Sequence, residues 1–153
     1  MYQKVKNIAL IIVLLLWACP AISFAQKGSI EEQILFYTNK YRKSKGKQPL
    51  VFSDVVSSQA AAHSRNMAKK KVGFGHGGFN TRSKAIGKQI GFISAAAENV
   101  AYGQLTGKEV VDGWIKSSGH RKNILGNFNT IGIGIAKARD GTIYFTQIFV
   151  HKD

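Results

Sequence analysis

The spacing of apolar residues changes along the chain, from a helical period in its first half to strict alternation near its end. The first helical set comprises Ile30, Ile34, Tyr37 and Tyr41. This spacing predicts an amphipathic helix over residues 29–44. A capping box marks its start, because Ser29 can cap the first turn while Glu32 reaches back to the cap backbone.

A second helix is predicted over residues 54–70, with Ser53 as its N-cap. The apolar and small residues that share one of its faces are Val56, Ala60, His63 and Met67. Residues 48–52 lie between the two helices and contain a proline, which favours an extended connector. We expect the apolar residues of this connector to dock on the core.

A glycine-rich segment follows over residues 72–79, and it favours no regular structure because glycine has little backbone preference. We expect Phe74 and Phe79 to anchor this segment to the core. His76 would then be free to point into a cleft. A short helix is predicted over residues 80–90.

The third quarter of the chain combines extended and helical signals. Residues 95–102 predict a short strand or an extended turn. Thr106 and Glu109 form a second capping box, which opens a helix predicted to end near Lys116. Two serines and a glycine interrupt the pattern, and residues 120–125 predict another short helix.

The end of the chain predicts an antiparallel hairpin. Isoleucine and glycine alternate over residues 130–136, and a second apolar strand is predicted over residues 143–150. Asp140 and Gly141 between them form a strong hairpin signal. A strand face of glycines admits a close neighbour, so we expect a helix to pack there. Helices followed by a closing antiparallel sheet are typical of an α+β fold.

The N-terminal segment has the order of a secretory signal peptide over residues 1–25. Lys4 and Lys6 precede an apolar run, and small residues lie at and before Ala25. The run is shorter than the roughly 20 residues that span a bilayer. We therefore predict cleavage after Ala25 and a single domain over residues 26–153, with an uncleaved anchor as the alternative.

Cysteine content bears on the compartment. Cleavage would remove Cys19, the only cysteine, so the exported domain would contain no disulfide. This is more typical of a bacterial exported protein than of a small eukaryotic secreted domain. We expect a monomer that is secreted or periplasmic, and a thiol nucleophile is excluded.

The chain is strongly basic, with 22 Lys and Arg residues against 8 Asp and Glu residues. The basic residues concentrate in residues 40–47 and 69–71. Such a field attracts anionic partners, which outside the cytoplasm would be anionic glycans, lipopolysaccharide or lipid surfaces. Alternatively, both clusters are solvated cations that complement helix C-termini. Export and the absence of a recognition motif argue against nucleic acid.

Three residues are candidates for chemistry: His76, Glu98 and His120. Two imidazoles and a carboxylate could bind a divalent metal such as Zn²⁺, or could transfer protons. Their spacing matches no local metal motif, and the chain has no nucleophile elbow or phosphate-binding glycine loop. His63 lies on the apolar helix face, where a hydrogen-bonded core histidine is expected.

Six motifs in one order resemble the CAP superfamily (cysteine-rich secretory proteins, antigen 5 and pathogenesis-related group one), in its cysteine-free bacterial form. They are Ala62-His63-Ser64-x-x-Met67-Ala68, Phe74-Gly75-His76, Ala97-Glu98-Asn99-Val100-Ala101-Tyr102-Gly103, Val111-x-x-Trp114-x-x-Ser117-x-Gly119-His120-Arg121-x-Asn123-Ile124-Leu125, Ile131-Gly132-Ile133-Gly134 and Tyr144-x-Thr146-Gln147-x-Phe149. The resemblance covers residues 29–150.

The resemblance implies a three-layer α-β-α sandwich with a central antiparallel sheet and a surface cleft. In the family the cleft holds two histidines and two acids, and it can bind zinc or another divalent ion. By motif, His76 and His120 match the histidines and Glu98 matches one acid, with Asn99 beside it in the cleft. Ser117 stands where the second acid is usual, so the set is incomplete.

The family does not share one chemistry, so three functions are weighed. The favoured one is a binding or interaction module at an envelope or host surface, with a cleft able to hold a divalent metal. The second is a zinc-dependent hydrolase, in which Glu98 and His120 would be the catalytic residues. The third is a lipid or sterol binding protein, suggested by Phe79, Phe92 and Ile93, for which ordinary core packing is the alternative.

Overall fold

The computed structural model describes residues 28–153, and the predicted signal peptide lies outside this range. The elements in chain order are α1 Ile30–Ser44, β1 Val51–Phe52, α2 Asp54–Ala68, α3 Phe79–Ile90, β2 Ile93–Tyr102, α4 Gly107–Lys116, α5 Ser118–Ile124, β3 Thr130–Lys137 and β4 Ile143–Lys152. In the part that the structure describes, no helix is long and apolar enough to cross a bilayer.

The four strands form one sheet in the order β1-β3-β4-β2. The β3–β4 and β4–β2 pairs are antiparallel, which confirms the predicted central antiparallel sheet. The short connector contributes a two-residue strand, β1, which runs parallel to β3 at one edge. Only Leu50 of the connector is buried, whereas Val51 is 69% exposed, so the expected docking of the whole connector is wrong.

The sheet lies between two helical layers, as expected for an α-β-α sandwich. On one face, Gly132 and Gly134 lie directly beneath the α2 backbone, and a Cβ atom on Gly134 would overlap Ala60 and Ala61. The glycine face therefore packs against a helix as predicted. On the other face, a core of ten buried residues includes Trp114 and Phe149 and is covered by α1 and α4.

Local signals determine several helix ends. The capping boxes at Ser29 and Thr106 are both formed, with the side chain of the acid three residues later bonded back to the cap. Helix α2 ends at Ala68, two residues before the predicted end. The reason is a Schellman turn, in which Lys70 adopts a left-handed conformation (φ 54°) and its N–H bonds the Met67 carbonyl.

The glycine-rich segment is irregular between α2 and α3, as predicted. Phe79 begins α3 and packs against a buried cluster, which confirms its expected anchoring role. Phe74 does not reach the core: it is 52% exposed and packs edge-on against Tyr102 at 4.8 Å between ring centroids. Phe74 is instead held at the surface, where it packs against Tyr102 of β2.

One member of the basic segment 40–47 is structural. Arg42 is 2% exposed, and its guanidinium donates to the carbonyl oxygens of Gln48, Ile124, Gly126 and Phe128 at 2.7 to 3.1 Å. It ties the end of α1 to the turn before β3. Arg42 therefore stabilises the fold and does not belong to the basic surface.

Candidate functional site

The site is built on strand β2, which lies at an edge of the sheet and presents successive side chains to opposite faces. Glu98 points to the α2 and α3 side, where it contacts His63 and Arg82. Asn99 points to the other side, where it bonds Gln147. The Glu-Asn pair therefore organises two different layers from neighbouring positions.

The Glu98 carboxylate is buried and paired with Arg82 of α3. Arg82 Nε and Nη2 donate to Oε2 at 3.0 and 2.8 Å, and Nη2 also donates to Oε1 at 2.8 Å. The side chains are 1% and 11% exposed. A buried carboxylate is costly without a partner, and the forked guanidinium satisfies both of its oxygens.

His76 reaches the same carboxylate from the glycine-rich segment. Its Nδ1 lies 3.0 Å from Glu98 Oε1, so Nδ1 carries the proton and donates. The imidazole is 52% exposed. Gly75 (φ 140°) and Gly78 (φ 75°) provide the backbone conformations that place His76 above the strand.

His63 is a buried, hydrogen-bonded histidine, as predicted, and it also helps to position the residues of the site. Its Nε2 donates to the Gly75 carbonyl at 2.7 Å and lies 4.0 Å from Glu98 Oε1. This bond fixes the segment that carries His76. Burial lowers the pKa of His63, so its imidazole is neutral near pH 7.

Asn99 attaches α5 to the sheet. Its Nδ2 donates to the His120 carbonyl and to Gln147 Oε1, both at 3.2 Å. Asn123 of α5 donates in return to Asn99 Oδ1 at 2.9 Å and to the Glu98 carbonyl at 3.1 Å. These bonds fix the backbone of His120, and the pKa of its side chain is lowered by burial and by the nearby His76.

Ser117 forms the junction between α4 and α5. It is extended (φ −79°, ψ 123°), and its side chain makes no cap hydrogen bond to the start of α5. Its N–H bonds the Gly113 carbonyl, and its carbonyl accepts from Arg121. Ser117 therefore contributes a backbone bend that brings His120 toward the strand, whereas a carboxylate at this position would have added a charge.

The Glu98 carboxylate is bonded to Arg82, which a metal ion at this site would have to displace. Among residues 28–153, no group of three or more His, Cys, Asp or Glu side chains is arranged to hold a metal ion. The single cleft carboxylate, Glu98, already has both oxygens bonded to Arg82. The metal role of His76, Glu98 and His120 stays a prediction, and it would require Glu98 to exchange a guanidinium for the ion.

Sequence reasoning missed Arg82, Asn123 and Gln147 as parts of the site. The sequence did indicate that Glu98 needs a cationic or hydrogen-bonding partner, because it follows three alanines in an apolar stretch where an unpaired carboxylate is costly. The identity of that partner was not readable, because Arg82 is 16 residues away and reaches Glu98 only through the orientation of α3.

Comparison with known proteins identifies the same family that the sequence motifs resemble. The model of the cysteine-rich secretory protein family (CAP) matches residues 35–149. The uncharacterised Bacillus subtilis protein YkwD is 35% identical over 133 residues, which is 82% of this chain and 48% of YkwD. The uncharacterised B. subtilis membrane protein YlbC is 31% identical over 80% of this chain and 34% of its own. The chain thus spans about half or less of these relatives.

Solved structures show the same architecture. An extracellular Bacillus anthracis protein that contains an SCP domain is 28% identical, with a TM-score of 0.67 over 80% of this chain and 40% of that one. An outer surface protein of Borrelia burgdorferi is 19% identical, with a TM-score of 0.71 over 81% and 93% of the two chains. The second likeness concerns the fold alone.

Proposed function

Since the chain belongs to the cysteine-rich secretory protein (CAP) family, we propose that it is an exported binding module that acts at a cell envelope or host surface. The proposal rests on one observation, the complete pairing of the Glu98 carboxylate with Arg82. Because of that pairing, the Glu98 carboxylate stabilises the fold. The groups that remain available to contact a ligand are the imidazoles of His76 and His120.

The site offers two imidazole groups to a ligand. His76 is half exposed. His120 is partly buried, and its lowered pKa keeps it neutral near pH 7. The neutral imidazole of His120 can donate to and accept from a polar ligand without the cost of removing a charge from water.

The surface charge indicates the class of partner. The 22 basic and 8 acidic residues give a field that attracts anionic glycans, lipopolysaccharide or lipid surfaces. Export would bring the chain to such partners, and the similar B. anthracis protein is described as extracellular.

The zinc-dependent hydrolase is less well supported. In that mechanism a metal activates water, and a carboxylate is a ligand or a general base. Glu98 could do neither while Arg82 and His76 bond both of its oxygens and its side chain is 1% exposed. The hydrolase mechanism therefore requires that Glu98 first break its bonds to Arg82 and His76.

Of the three apolar residues that suggested a lipid or sterol carrier, one is exposed on the surface. Phe79 and Ile93 pack against a buried cluster, as ordinary core residues do. Phe92 is 73% exposed, at the turn between α3 and β2. A single exposed ring is normal at a protein surface. Phe92 and Ile93 line a groove of about 590 Å³, but this groove is open to solvent and is also lined by Lys84 and Lys88.

Retention on immobilised heparin and on vesicles that contain phosphatidylglycerol tests the proposal. At low ionic strength we expect retention on at least one of the two surfaces, and we expect it to decline as salt screens the charges. Uncharged agarose and phosphatidylcholine vesicles are the controls. Failure to bind either anionic surface at low salt would overturn the proposed function.

A further inference from the structure

Four cations converge on a concave surface at one end of the sandwich. A cavity of about 670 Å³ lies between the end of α2 and the turn that joins β3 to β4. The residues that line it, called here the basic pocket, are Ala68, Lys69, Lys70, Lys137, Ala138, Arg139 and Asp140. Four cations against one carboxylate favour an anionic occupant.

The backbone at Lys70 adds a second observation. Lys70 is the one non-glycine residue with positive φ among residues 28–153. It occupies the helix-ending position where glycine is usual, because a side chain there is strained. The chain thus carries a lysine at this conformational cost, and Lys70 lines the basic pocket.

Exposed aromatic rings lie at the same end of the sheet. Phe74 packs edge-on against Tyr102 at 4.8 Å, and Tyr102 stacks on Tyr144 at 5.7 Å between centroids. These three rings are called here the aromatic ladder. Phe74 and Tyr102 are each about half exposed, at 52% and 53%. The surface therefore presents apolar ring area that the core does not use.

Strand register places the ladder beside the pocket. Tyr144 pairs with Ala136 of β3 on one side and with Tyr102 of β2 on the other. Ala138, which lines the pocket, lies two residues after Ala136, the spacing that returns to the same side of a strand. Neighbouring strands lie about 4.8 Å apart, so the ladder lies at the end of the sheet that carries the pocket, within reach of a short polymer bound there.

We propose that this surface binds an acidic polysaccharide. The basic pocket would hold its sulfate, phosphate or carboxylate groups, and the aromatic ladder would pack against the apolar faces of its sugar rings. A polyanion without rings would use the pocket alone. This inference rests on the proposed function and deepens it, since it names the ligand class and where it binds.

A matched pair of charge variants tests the pocket, with a heparin hexasaccharide as the probe in titration calorimetry. The pocket variant combines Lys69→Ser, Lys70→Gly, Lys137→Ser and Arg139→Ser. The control removes four exposed lysines near the end of α1: Lys40→Ser, Lys43→Ser, Lys45→Ser and Lys47→Ser. We expect the pocket variant to raise Kd about tenfold and the control to raise it about threefold or less, because direct ion contacts exceed a diffuse field.

A second pair of variants tests the ladder. Phe74→Ser combined with Tyr102→Ser removes its two exposed rings, and the control Phe92→Ser removes a more exposed ring (73%) elsewhere on the surface. We expect the ladder variant to weaken hexasaccharide binding about fivefold, by analogy with ring contacts elsewhere. Its affinity for poly(vinyl sulfonate), a polyanion without sugars, should not change. Equal losses on both probes would overturn the assignment to a polysaccharide.

The remaining outcomes separate this inference from the proposed function. If the native chain binds the hexasaccharide but the pocket variant equals its control, the pocket assignment is overturned and the binding module stands. If vesicles with phosphatidylglycerol bind more tightly and Phe92→Ser weakens them most, the ligand is a lipid surface and the polysaccharide is overturned. If no anionic probe binds, both proposals fail. Circular dichroism confirms that each variant is folded before it is compared.

Discussion

The carboxylate of Glu98 and the guanidinium of Arg82 form a bidentate ion pair, with contacts of 2.8 to 3.0 Å, between strand β2 and helix α3. The pair joins the edge strand β2 to helix α3, and its carboxylate side is 1% exposed. His76 bonds the same carboxylate and so depends on the pair for its position. Stability and cleft geometry are therefore coupled through two side chains.

Replacement of Arg82 by Gln should destabilise the protein by about 3–5 kcal/mol, because it leaves the Glu98 charge buried without a counter-ion. Urea unfolding, followed by circular dichroism, measures this. The double variant Arg82→Gln/Glu98→Gln should recover part of the loss, since it removes the unpaired charge. The exposed pair Lys108–Asp112 is the control, and breaking it with Lys108→Ala should have little effect. Equal effects at the two pairs would contradict this view of Glu98.

Asn99→Ala should destabilise the protein by about 1–3 kcal/mol, because it leaves buried polar partners unsatisfied. It removes the bonds to the His120 carbonyl and to Gln147. The nuclear magnetic resonance signals of His120 should shift, since α5 loses its attachment to the sheet. The exposed Asn66→Ala on α2 is the control and should change neither quantity.

Gly134→Ala should destabilise the fold by more than about 2 kcal/mol, because the added methyl group overlaps the α2 backbone and neither layer can yield. Gly113→Ala on α4 is the matched control, since nothing lies within 4 Å of the added atom. It should be neutral, or stabilising by up to about 1 kcal/mol, from helix propensity. Thermal unfolding distinguishes the two, and a tolerated Gly134→Ala would show that the close helix–sheet contact is not required.

His63 should make the fold less stable in mild acid. Burial lowers its pKa below the usual value, so below about pH 6.5 the unfolded chain binds a proton that the folded chain resists. The free energy of unfolding should therefore fall as the pH decreases from about 7.5 to about 5.5, by at most about 1.4 kcal/mol per pH unit. His63→Gln should lose this component. An identical pH dependence in both proteins would show that His63 does not contribute.

Features that depend on near neighbours in the chain were predictable. The capping boxes at Ser29 and Thr106 each involve residues three positions apart, and both are formed. The alternation of isoleucine with Gly132 and Gly134 predicted a close helix, because a strand repeats every two residues. These elements predicted an α+β fold, and the resemblance of the motifs to the CAP superfamily implied the three-layer sandwich.

Features that depend on contacts between distant elements were not predictable. Phe74 was expected in the core, but Tyr102, 28 positions later, gives it a partner at the surface. Arg82 was overlooked because a helix face alone does not reveal which buried carboxylate it meets. The composition predicted a basic surface, but it could not show that Arg42 is buried and donates hydrogen bonds to four carbonyl oxygens.

If the chain is the binding module proposed above, Arg82 occupies the carboxylate that a metal would need, and ligand recognition does not depend on zinc. Zinc titration calorimetry of the native chain beside a His76→Ala/His120→Ala variant tests it most directly. We expect both proteins to give the same weak response, with any Kd above about 100 µM. A Kd below about 1 µM in the native chain, lost in the double variant, would contradict the claim and would favour the zinc-dependent hydrolase.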